Sequence, residues 1–205
     1  MAGIYIHIPF CKKRCIYCDF FSTTQSEKKD AYIRALCQEL EFRKDYLSGE
    51  TIDTIYLGGG TPSQLSKTDL ETIFTYIYKV YHVNENAEIT LEANPDDLTP
   101  EYVAMLRTLP INRLSMGIQT FQEDTLKLLH RRHTARQAIE AFNRCREAGF
   151  RNISIDLMPI VPMRIPVLTA EAVFITAGSI WRILLITRAV RRQDCVQFCC
   201  TASHI

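Results

Sequence analysis

The sequence lacks the features that would place it at once in a nucleic-acid-binding or a membrane class. Its 205 residues carry 24 Lys and Arg against 23 Asp and Glu, so neither charge is in surplus for binding a polyanion or an anionic membrane. A membrane-spanning helix needs about 20 nearly uncharged residues, and Arg182 and Arg188 interrupt the most apolar stretch at residues 172–190. The sequence therefore predicts no nucleic-acid partner and no membrane span.

A secretory signal is also lacking. The amino terminus has no basic start, and His7 breaks its short apolar run. We therefore expect a cytoplasmic protein, in which the eight cysteines serve as thiols, metal ligands or catalysts more often than as disulfides. A hydrophobic content of 47% is enough for a core, and the length indicates one compact body rather than two independent domains.

Short β-branched runs alternate with segments of helical period from residue 4 to about residue 158. This alternation is typical of an α/β protein with repeated βα units and a parallel sheet. It fits either a doubly wound open sheet or part of a (β/α) barrel. The predicted strands cover residues 4–9, 52–57, 87–92, 112–116 and 153–157, and the clearest apolar helix stripes are Ile33, Leu36, Cys37, Leu40 and Leu70, Ile73, Phe74, Ile77.

The helix boundaries carry their own signals. Ser66, Thr99 and Thr134 can each accept a hydrogen bond at a helix start, and Pro100 suits the first helical position. Gly149 suits a helix end. Cys37 and Cys145 fall on apolar helix faces, so we expect both to be buried core thiols.

The composition changes near residue 159. Residues 159–205 contain five Arg and no Lys, whereas residues 1–158 hold all eight Lys, and the alternation of helix and strand is lost. We therefore predict that residues 159–205 are an atypical tail, not native to the fold, and that the reading frame has changed near residue 159. Its apolar stretch is expected to form a helix or to adhere to an open sheet edge.

The strongest chemical signal is Cys11-Lys-Lys-Arg-Cys15-Ile-Tyr-Cys18, which follows the first predicted strand directly. Three thiolates in one loop select soft metals, namely zinc, copper(I) or an iron–sulfur cluster. Three ligands leave one iron of a four-iron cluster open for chemistry. The alternatives are a zinc site completed by His7, Asp19 or Cys37, and structural thiols without a metal. A second metal site at Cys195, Cys199, Cys200 and His204 has no supporting strand or glycine context.

Several motifs carry a family resemblance. The Cys-x3-Cys-x2-Cys spacing resembles the cluster motif of the radical S-adenosylmethionine (SAM) superfamily. Six further segments are similar to its oxygen-independent coproporphyrinogen oxidase branch: Ile4-Tyr-Ile-His-Ile-Pro-Phe-Cys, Cys18-Asp-Phe, Gly58-Gly-Gly-Thr-Pro62, Glu92-Ala-Asn-Pro, Leu114-Ser-Met-Gly-Ile-Gln119 and Ile155-Asp-Leu-Met. The resemblance covers residues 4–158 and implies a partial (β/α) barrel of about five βα units, with the remaining units missing.

The resemblance also implies cofactors and their ligands. A [4Fe-4S] cluster is expected on Cys11, Cys15 and Cys18, with SAM on the open iron. Reduction of that cluster by a donor such as flavodoxin or ferredoxin would cleave SAM to a 5′-deoxyadenosyl radical. The family's SAM-contacting positions are occupied here by Tyr5, Tyr17, Gly59, Gly60, Thr61, Glu92, Gln119, Arg131 and Asp156.

The residues themselves are consistent with that assignment in one respect. Most of the candidates follow predicted strands at their carboxyl ends, where the active sites of (β/α) barrels lie. Without the cysteine motif, the glycines would indicate a tight turn and Glu92 a solvated strand end, and Arg131 in His130-Arg-Arg-His133 would belong to a solvated charge run. Asp156, between two apolar residues of a strand, is expected to be a buried carboxylate that needs a partner.

Two functions within the branch remain. One is a haem chaperone, which binds haem or a porphyrin and transfers haem to an acceptor protein. The other is the oxygen-independent coproporphyrinogen III oxidase, which uses radical chemistry for oxidative decarboxylation. The oxidases carry a further cysteine two residues after the third, and this sequence has Phe20 there. The chaperone is therefore the predicted function, and the oxidase is the alternative.

Overall fold

The structure is a computed structural model that describes residues 2–158 and the backbone of residues 182–186. Its described strands form one parallel sheet, in the spatial order β5-β4-β3-β2-β1-β6. The strands are β1 (Ala2–Ile8), β2 (Ile52–Gly59), β3 (Val83–Ala93), β4 (Arg113–Gln119), β5 (Asn152–Leu157) and β6 (Arg182–Ile186). The helices are α1 (Lys29–Phe42), α2 (Lys67–Val80), α3 (Pro100–Leu106), α4 (Glu123–Leu128) and α5 (Ala135–Glu147).

The order of β1 to β5 decides between the two predicted architectures. Each of these strands pairs in parallel with the next one along the chain. A doubly wound sheet would reverse its strand order at a switch point, and no reversal occurs among these five strands. The order of β1 to β5 is that of a partial (β/α) barrel, as predicted, and β6 pairs with the other edge of β1.

The predicted helix signals are confirmed. Both apolar stripes are buried against the sheet, with Leu40, Leu70, Ile73 and Ile77 having no measurable exposure. Ser66 and Thr134 each form a reciprocal capping box at the start of α2 and α5, and Thr99 accepts the Tyr102 amide at the start of α3. Gly149, with φ of 98°, follows α5 and takes the left-handed conformation that a side chain would disfavour.

The two faces of the sheet differ in polarity. Ile4, Ile6 and Ile8 of β1 are buried in the apolar layer beneath the helices, whereas Tyr5 and His7, between them, are partly exposed on the opposite face. The same alternation continues across β2 and β3. Polar side chains therefore line the inner face of the partial barrel. Cys37 and Cys145 lie in the apolar layer, as predicted for core thiols.

Two further predictions concern the edges of the sheet. Asp156 on β5 is exposed, not buried as predicted, because no described strand covers the outer edge of β5. At the other edge, Arg182–Ile186 pairs in parallel with β1, so part of the apolar tail lies against a sheet edge.

The second candidate metal site, Cys195 to His204, lies outside the described residues. Within the part of the chain that the structure describes, no helix is long and apolar enough to cross a membrane.

Candidate functional site

The cysteine motif forms a loop with a closed base at the carboxyl end of β1. The Cys11 amide donates to the Thr23 carbonyl over 2.9 Å, and the Thr23 amide donates to the Pro9 carbonyl over 2.7 Å. The chain therefore leaves and returns at one point, and residues 11–22 are called the cysteine loop below. Inside it, the Cys18 amide donates to the Cys15 carbonyl over 3.2 Å, which makes a turn between these two cysteines.

Residues from other strand ends contact the cysteines directly. The Thr61 hydroxyl donates to Cys11 Sγ over 3.3 Å, and an Arg131 guanidinium nitrogen lies 3.5 Å from Cys15 Sγ. A Cβ added to Gly60 would lie 3.0 Å from Cys11 Sγ and 2.9 Å from the Ile8 carbonyl oxygen. Only glycine allows the turn after β2 to approach the cysteine loop this closely.

The positions of the possible ligands bear on the alternative of a single metal ion. Within residues 2–158, no three His, Cys, Asp or Glu side chains are grouped closely enough to hold one ion. A four-iron cluster binds three thiolates through three different irons, so its ligands need not converge on one point. Two of the three proposed zinc partners are engaged elsewhere, since His7 Nε2 lies 2.8 Å from the Phe21 carbonyl and Cys37 is buried in the core. Burial raises the pKa of the Cys11 thiol, and the Thr61 hydrogen bond opposes that rise.

Glu92 occupies the centre of the polar face at the carboxyl end of β3. Its two carboxylate oxygens accept hydrogen bonds from the Tyr56 hydroxyl over 2.8 Å and from the Gly59 amide over 3.0 Å. Burial raises the pKa of Glu92 to about 7, although both donors favour the ionised form. Tyr5 stacks on Tyr56, with ring centroids 5.9 Å apart, and so extends this polar face to β1.

Gln119 and Asp156 end the next two strands. Gln119 has a φ of 71°, a conformation that is unusual for a residue with a side chain and is found at functional sites. Its carbonyl accepts the Met158 amide over 2.8 Å, which fixes the turn after β4. The Asp156 carboxylate is 3.4 Å from the Ser115 hydroxyl. Although the residue as a whole is exposed, desolvation of the carboxylate by its surroundings raises its pKa.

Arg131 is not part of a solvated charge run, so that interpretation of His130-Arg-Arg-His133 is wrong. Its guanidinium bonds the Asn94 amide oxygen over 2.7 Å, the Gly117 carbonyl, and the Tyr17 hydroxyl over 3.4 Å. The neighbouring residues are also fixed. Arg132 pairs with Asp96 over 2.7 Å, and buried His133 bonds the Ile118 carbonyl over 3.1 Å.

The structure thus brings the predicted site residues to one end of the sheet, in two adjoining groups. The first contacts the cysteine loop or belongs to it: Tyr17, Gly60, Thr61 and Arg131. The second surrounds the Glu92 carboxylate: Tyr5 and Gly59, together with Tyr56, which was not predicted. Gln119 adjoins the first group through Gly117 and Arg131, while Asp156 lies near the second group through Ser115.

Sequence reasoning missed three residues of this site. Tyr56 was not a candidate, although its place two residues before the glycine turn puts it on the same face of β2 as Gly58. Asn94 bonds Arg131, and the buried Asp97 bonds Lys12 of the cysteine loop. Asn94 lies within the Glu92-Ala-Asn-Pro segment and Asp97 two residues beyond it, so that segment was the available signal for both.

Comparison with known proteins identifies the family. A model described as the Radical SAM superfamily matches residues 5–164. The chain belongs to the radical SAM superfamily. Membership implies a [4Fe-4S] cluster and SAM, which agrees with a loop that presents three thiols beside a polar barrel face.

Relatives within the superfamily include proteins of two kinds. The haem chaperone HemW of Bacillus subtilis is 42% identical over 160 residues, which cover 77% of this chain and 42% of that protein. The oxygen-independent coproporphyrinogen III oxidase of Salmonella typhimurium is 33% identical over 166 residues, covering 80% of this chain and 36% of that protein. The chain therefore spans about two-fifths of the length of the curated relatives it matches.

A solved radical SAM structure has the same fold. Coproporphyrinogen III oxidase (HemN) from Escherichia coli superposes with a TM-score of 0.71 at 34% sequence identity. The match covers 76% of this chain and 36% of the HemN chain. The partial barrel described here thus corresponds to part of a larger radical SAM protein.

Proposed function

We propose that this chain carries the radical SAM core of a haem chaperone, which binds haem and transfers it to an acceptor protein. The carrying observation is the cysteine loop: Cys11, Cys15 and Cys18 lie on one closed loop beside the polar barrel face, with Phe20 in the position of the oxidases' further cysteine. Phe20 is 55% exposed, so its side chain belongs to the surface of the loop. The higher identity to haem chaperones than to oxidases supports the same choice.

Cys11, Cys15 and Cys18 are the proposed ligands of one [4Fe-4S] cluster. When bound and reduced, such a cluster supplies the electron that cleaves SAM; a flavodoxin or ferredoxin is the proposed donor. The chain's own part is to hold the thiols apart on a closed loop and to hold Arg131 against Cys15. The Arg131 guanidinium thereby places a hydrogen-bond donor beside one of the proposed ligands.

The SAM site is proposed on the polar face that adjoins the loop. Glu92 presents two carboxylate oxygens that can accept hydrogen bonds from ribose hydroxyls or an ammonium group, and Gln119 offers a donor and an acceptor. Tyr5, Tyr17, Gly59, Gly60, Thr61, Arg131 and Asp156 complete the proposed contacts. The glycines contribute close backbone approach, and the tyrosines contribute flat apolar surface beside the polar groups.

Anaerobic reconstitution with iron and sulfide tests the cluster assignment. The full chain is expected to gain iron, sulfide and the visible absorption of thiolate-ligated iron–sulfur clusters. Replacement of Cys11, Cys15 and Cys18 by Ala should abolish all three signals, whereas the matched core variant Cys37→Ala should retain them. Undiminished iron in the triple variant would overturn the assignment, and stoichiometric zinc in the native chain would favour the zinc alternative.

A second pair of assays separates the chaperone from the oxidase. The loaded chain is incubated anaerobically with SAM, a reductant and coproporphyrinogen III, and separately titrated with haem. Haem binding without decarboxylation is expected. Appearance of protoporphyrinogen would establish the oxidase instead, and absence of both activities would contradict a haem-related function for this chain.

A further inference from the structure

The Asp97 carboxylate accepts hydrogen bonds from four side chains. Ser63 Oγ and Gln64 Nε2 bond one oxygen over 2.8 and 2.6 Å, and Lys12 Nζ bonds the other over 3.1 Å. Arg132 reaches both oxygens, over 3.1 and 3.2 Å. The Asp97 side chain is only 2% exposed, so these bonds replace the water that an ionised carboxylate would otherwise require.

The four donors belong to the segments that build the site, although none of them is a proposed ligand. Lys12 stands between Cys11 and Cys15, Ser63 and Gln64 follow Thr61, and Arg132 follows Arg131. One buried carboxylate therefore connects three parts of the chain: the cysteine loop, the glycine turn after β2, and residues 130–133 before α5, which are called the arginine segment below. The base of the loop is closed by backbone bonds at Thr23, so Lys12 provides a separate attachment within the loop.

We propose that Asp97 is a positioning residue that holds the cysteine loop in its ligand-presenting conformation before any cluster is bound. This inference rests on the proposed function for the meaning of that conformation, but the attachment itself is a property of the metal-free chain. Lys12 is the movable partner, because its side chain is 58% exposed while Asp97 is fixed from three other directions. Loss of Lys12 would release the loop and leave the Asp97 carboxylate with Arg132, Ser63 and Gln64.

Alkylation of the cysteines in the metal-free chain tests this attachment. The full chain, reduced and freed of metal with a chelator under anaerobic conditions, is treated with iodoacetamide, and the rate at each cysteine is followed by peptide mass spectrometry. Lys12→Gln is expected to raise the rates at Cys11 and Cys15 by about 2- to 5-fold, as for loss of a partly exposed ion pair. Asp97→Asn is expected to raise them by about tenfold, since a buried charged acceptor of several bonds is lost.

Three controls make the result specific to the attachment. Lys13→Gln changes the neighbouring lysine of the same loop and should leave the rates unchanged. Lys12→Arg restores a cation that can reach Asp97 and should restore the native rates, which a general loosening of the loop would not do. Cys37 and Cys145, both buried in the core, should stay unreactive in every variant. If they react in Asp97→Asn, that variant has unfolded, and the attachment is then judged from the alkylation rates of Lys12→Gln and Lys12→Arg alone.

The outcomes separate this inference from the proposed function. Native alkylation rates in Lys12→Gln, or equal effects of Lys12→Gln and Lys13→Gln, would overturn the attachment whether or not the chain binds a cluster. Accelerated alkylation that Lys12→Arg reverses would support it even if reconstitution with iron and sulfide failed. In the reconstituted chain, Lys12→Gln should also slow cluster assembly by about the factor by which alkylation is accelerated.

Discussion

At the scale of single residues, Glu92 experiences opposing influences on its charge. Burial raises its pKa from the ordinary 4.5 to about 7, against the hydrogen bonds from Tyr56 and Gly59. Between these two pH values the folded chain holds a proton that the unfolded chain has released, so the free energy of unfolding falls as pH rises through this window. A bound cation or hydroxyl donor would favour the ionised carboxylate and lower its pKa.

The predicted fall in the free energy of unfolding with rising pH can be tested with Glu92→Gln, whose side chain stays neutral at every pH. Urea unfolding of both chains is measured at about pH 5 and about pH 8. We expect the stability of the native chain, relative to the variant, to fall by on the order of 2–3 kcal/mol across that interval. His133 has its pKa lowered to about 4, mainly by burial, and acts in the opposite sense, but it is common to both chains and cancels. A constant difference would mean that Glu92 is ionised throughout.

A second prediction concerns Gly59, which has a φ of 109° and lies against the His7 ring. A Cβ there would come within 2.6 Å of that ring, whereas Gly49, with a φ of 77°, has open space around it. Both Gly→Ala changes carry the left-handed backbone penalty of about 1–2 kcal/mol. Gly59→Ala should cost about 1–3 kcal/mol more through overpacking, measured by urea unfolding. Equal losses at the two positions would show that the His7 ring moves away freely.

The arginine segment shows why some residues of the site could not be assigned from sequence. Four consecutive cationic or imidazole side chains look like a solvated run when only their neighbours in sequence are considered. Their actual partners are remote: Arg131 bonds Asn94, 37 residues away, and Cys15, 116 residues away. Arg131 is partly buried because the ends of three strands meet around it, and no local sequence pattern encodes that meeting. The family resemblance supplied its place in the site.

At the scale of elements, the strands could be predicted because their helix-facing side chains are apolar and buried, in short runs bounded by Gly, Pro or Asn. The predicted strand limits were less accurate where a strand contains exposed polar residues. β3 begins at Val83, four residues before its predicted start, because Asn84, Glu85 and Asn86 are exposed and give no apolar signal. β4 continues to Gln119 through an irregularity after Gly117, where pairing with β5 shifts register. Irregular strand ends of this kind are common beside functional sites.

The capping box at α5 gives a prediction at this scale. Thr134 accepts the Gln137 amide and immediately follows His133, so the cap fixes the join between α5 and the arginine segment. Thr134→Ala should lower the free energy of unfolding by about 1 kcal/mol, because an amide of the first helical turn loses its acceptor. Thr134→Ser keeps the hydroxyl and should lose only a few tenths of that amount. Both values come from urea unfolding, and equal losses would assign the effect to the Thr methyl group instead.

At the scale of the whole molecule, the described sheet has two edges of different kinds. β6 covers the edge of β1, while β5 leaves Ile155 and Leu157 38% and 57% exposed. In a sheet that continues, a further strand and helix would bury such side chains. The relatives are more than twice as long as the matched segment, so their remaining residues are available for that covering.

The boundary near residue 159 remains a proposal, in which residues 159–205 form no part of the radical SAM core. The loss of βα alternation, the replacement of Lys by Arg, and a family match that ends at residue 164 support it. Limited trypsin digestion of the full chain gives the test, because Arg164, Arg182 and Arg188 offer cleavage sites beyond the boundary, and Lys13 and Arg14 offer exposed ones in the cysteine loop.

We expect the first cuts beyond about residue 160, with Arg164 cleaved before Arg182, since Arg182 is paired with Ala2 in the sheet. The surviving fragment should contain Cys11, Cys15 and Cys18 and should retain the iron of a reconstituted sample. Cleavage at Arg14 before Arg164 would show that the cysteine loop is less protected from protease than residues 159–205, contrary to this prediction. Resistance of residues 159–205 equal to that of residues 2–158 would show instead that the tail packs as part of the fold.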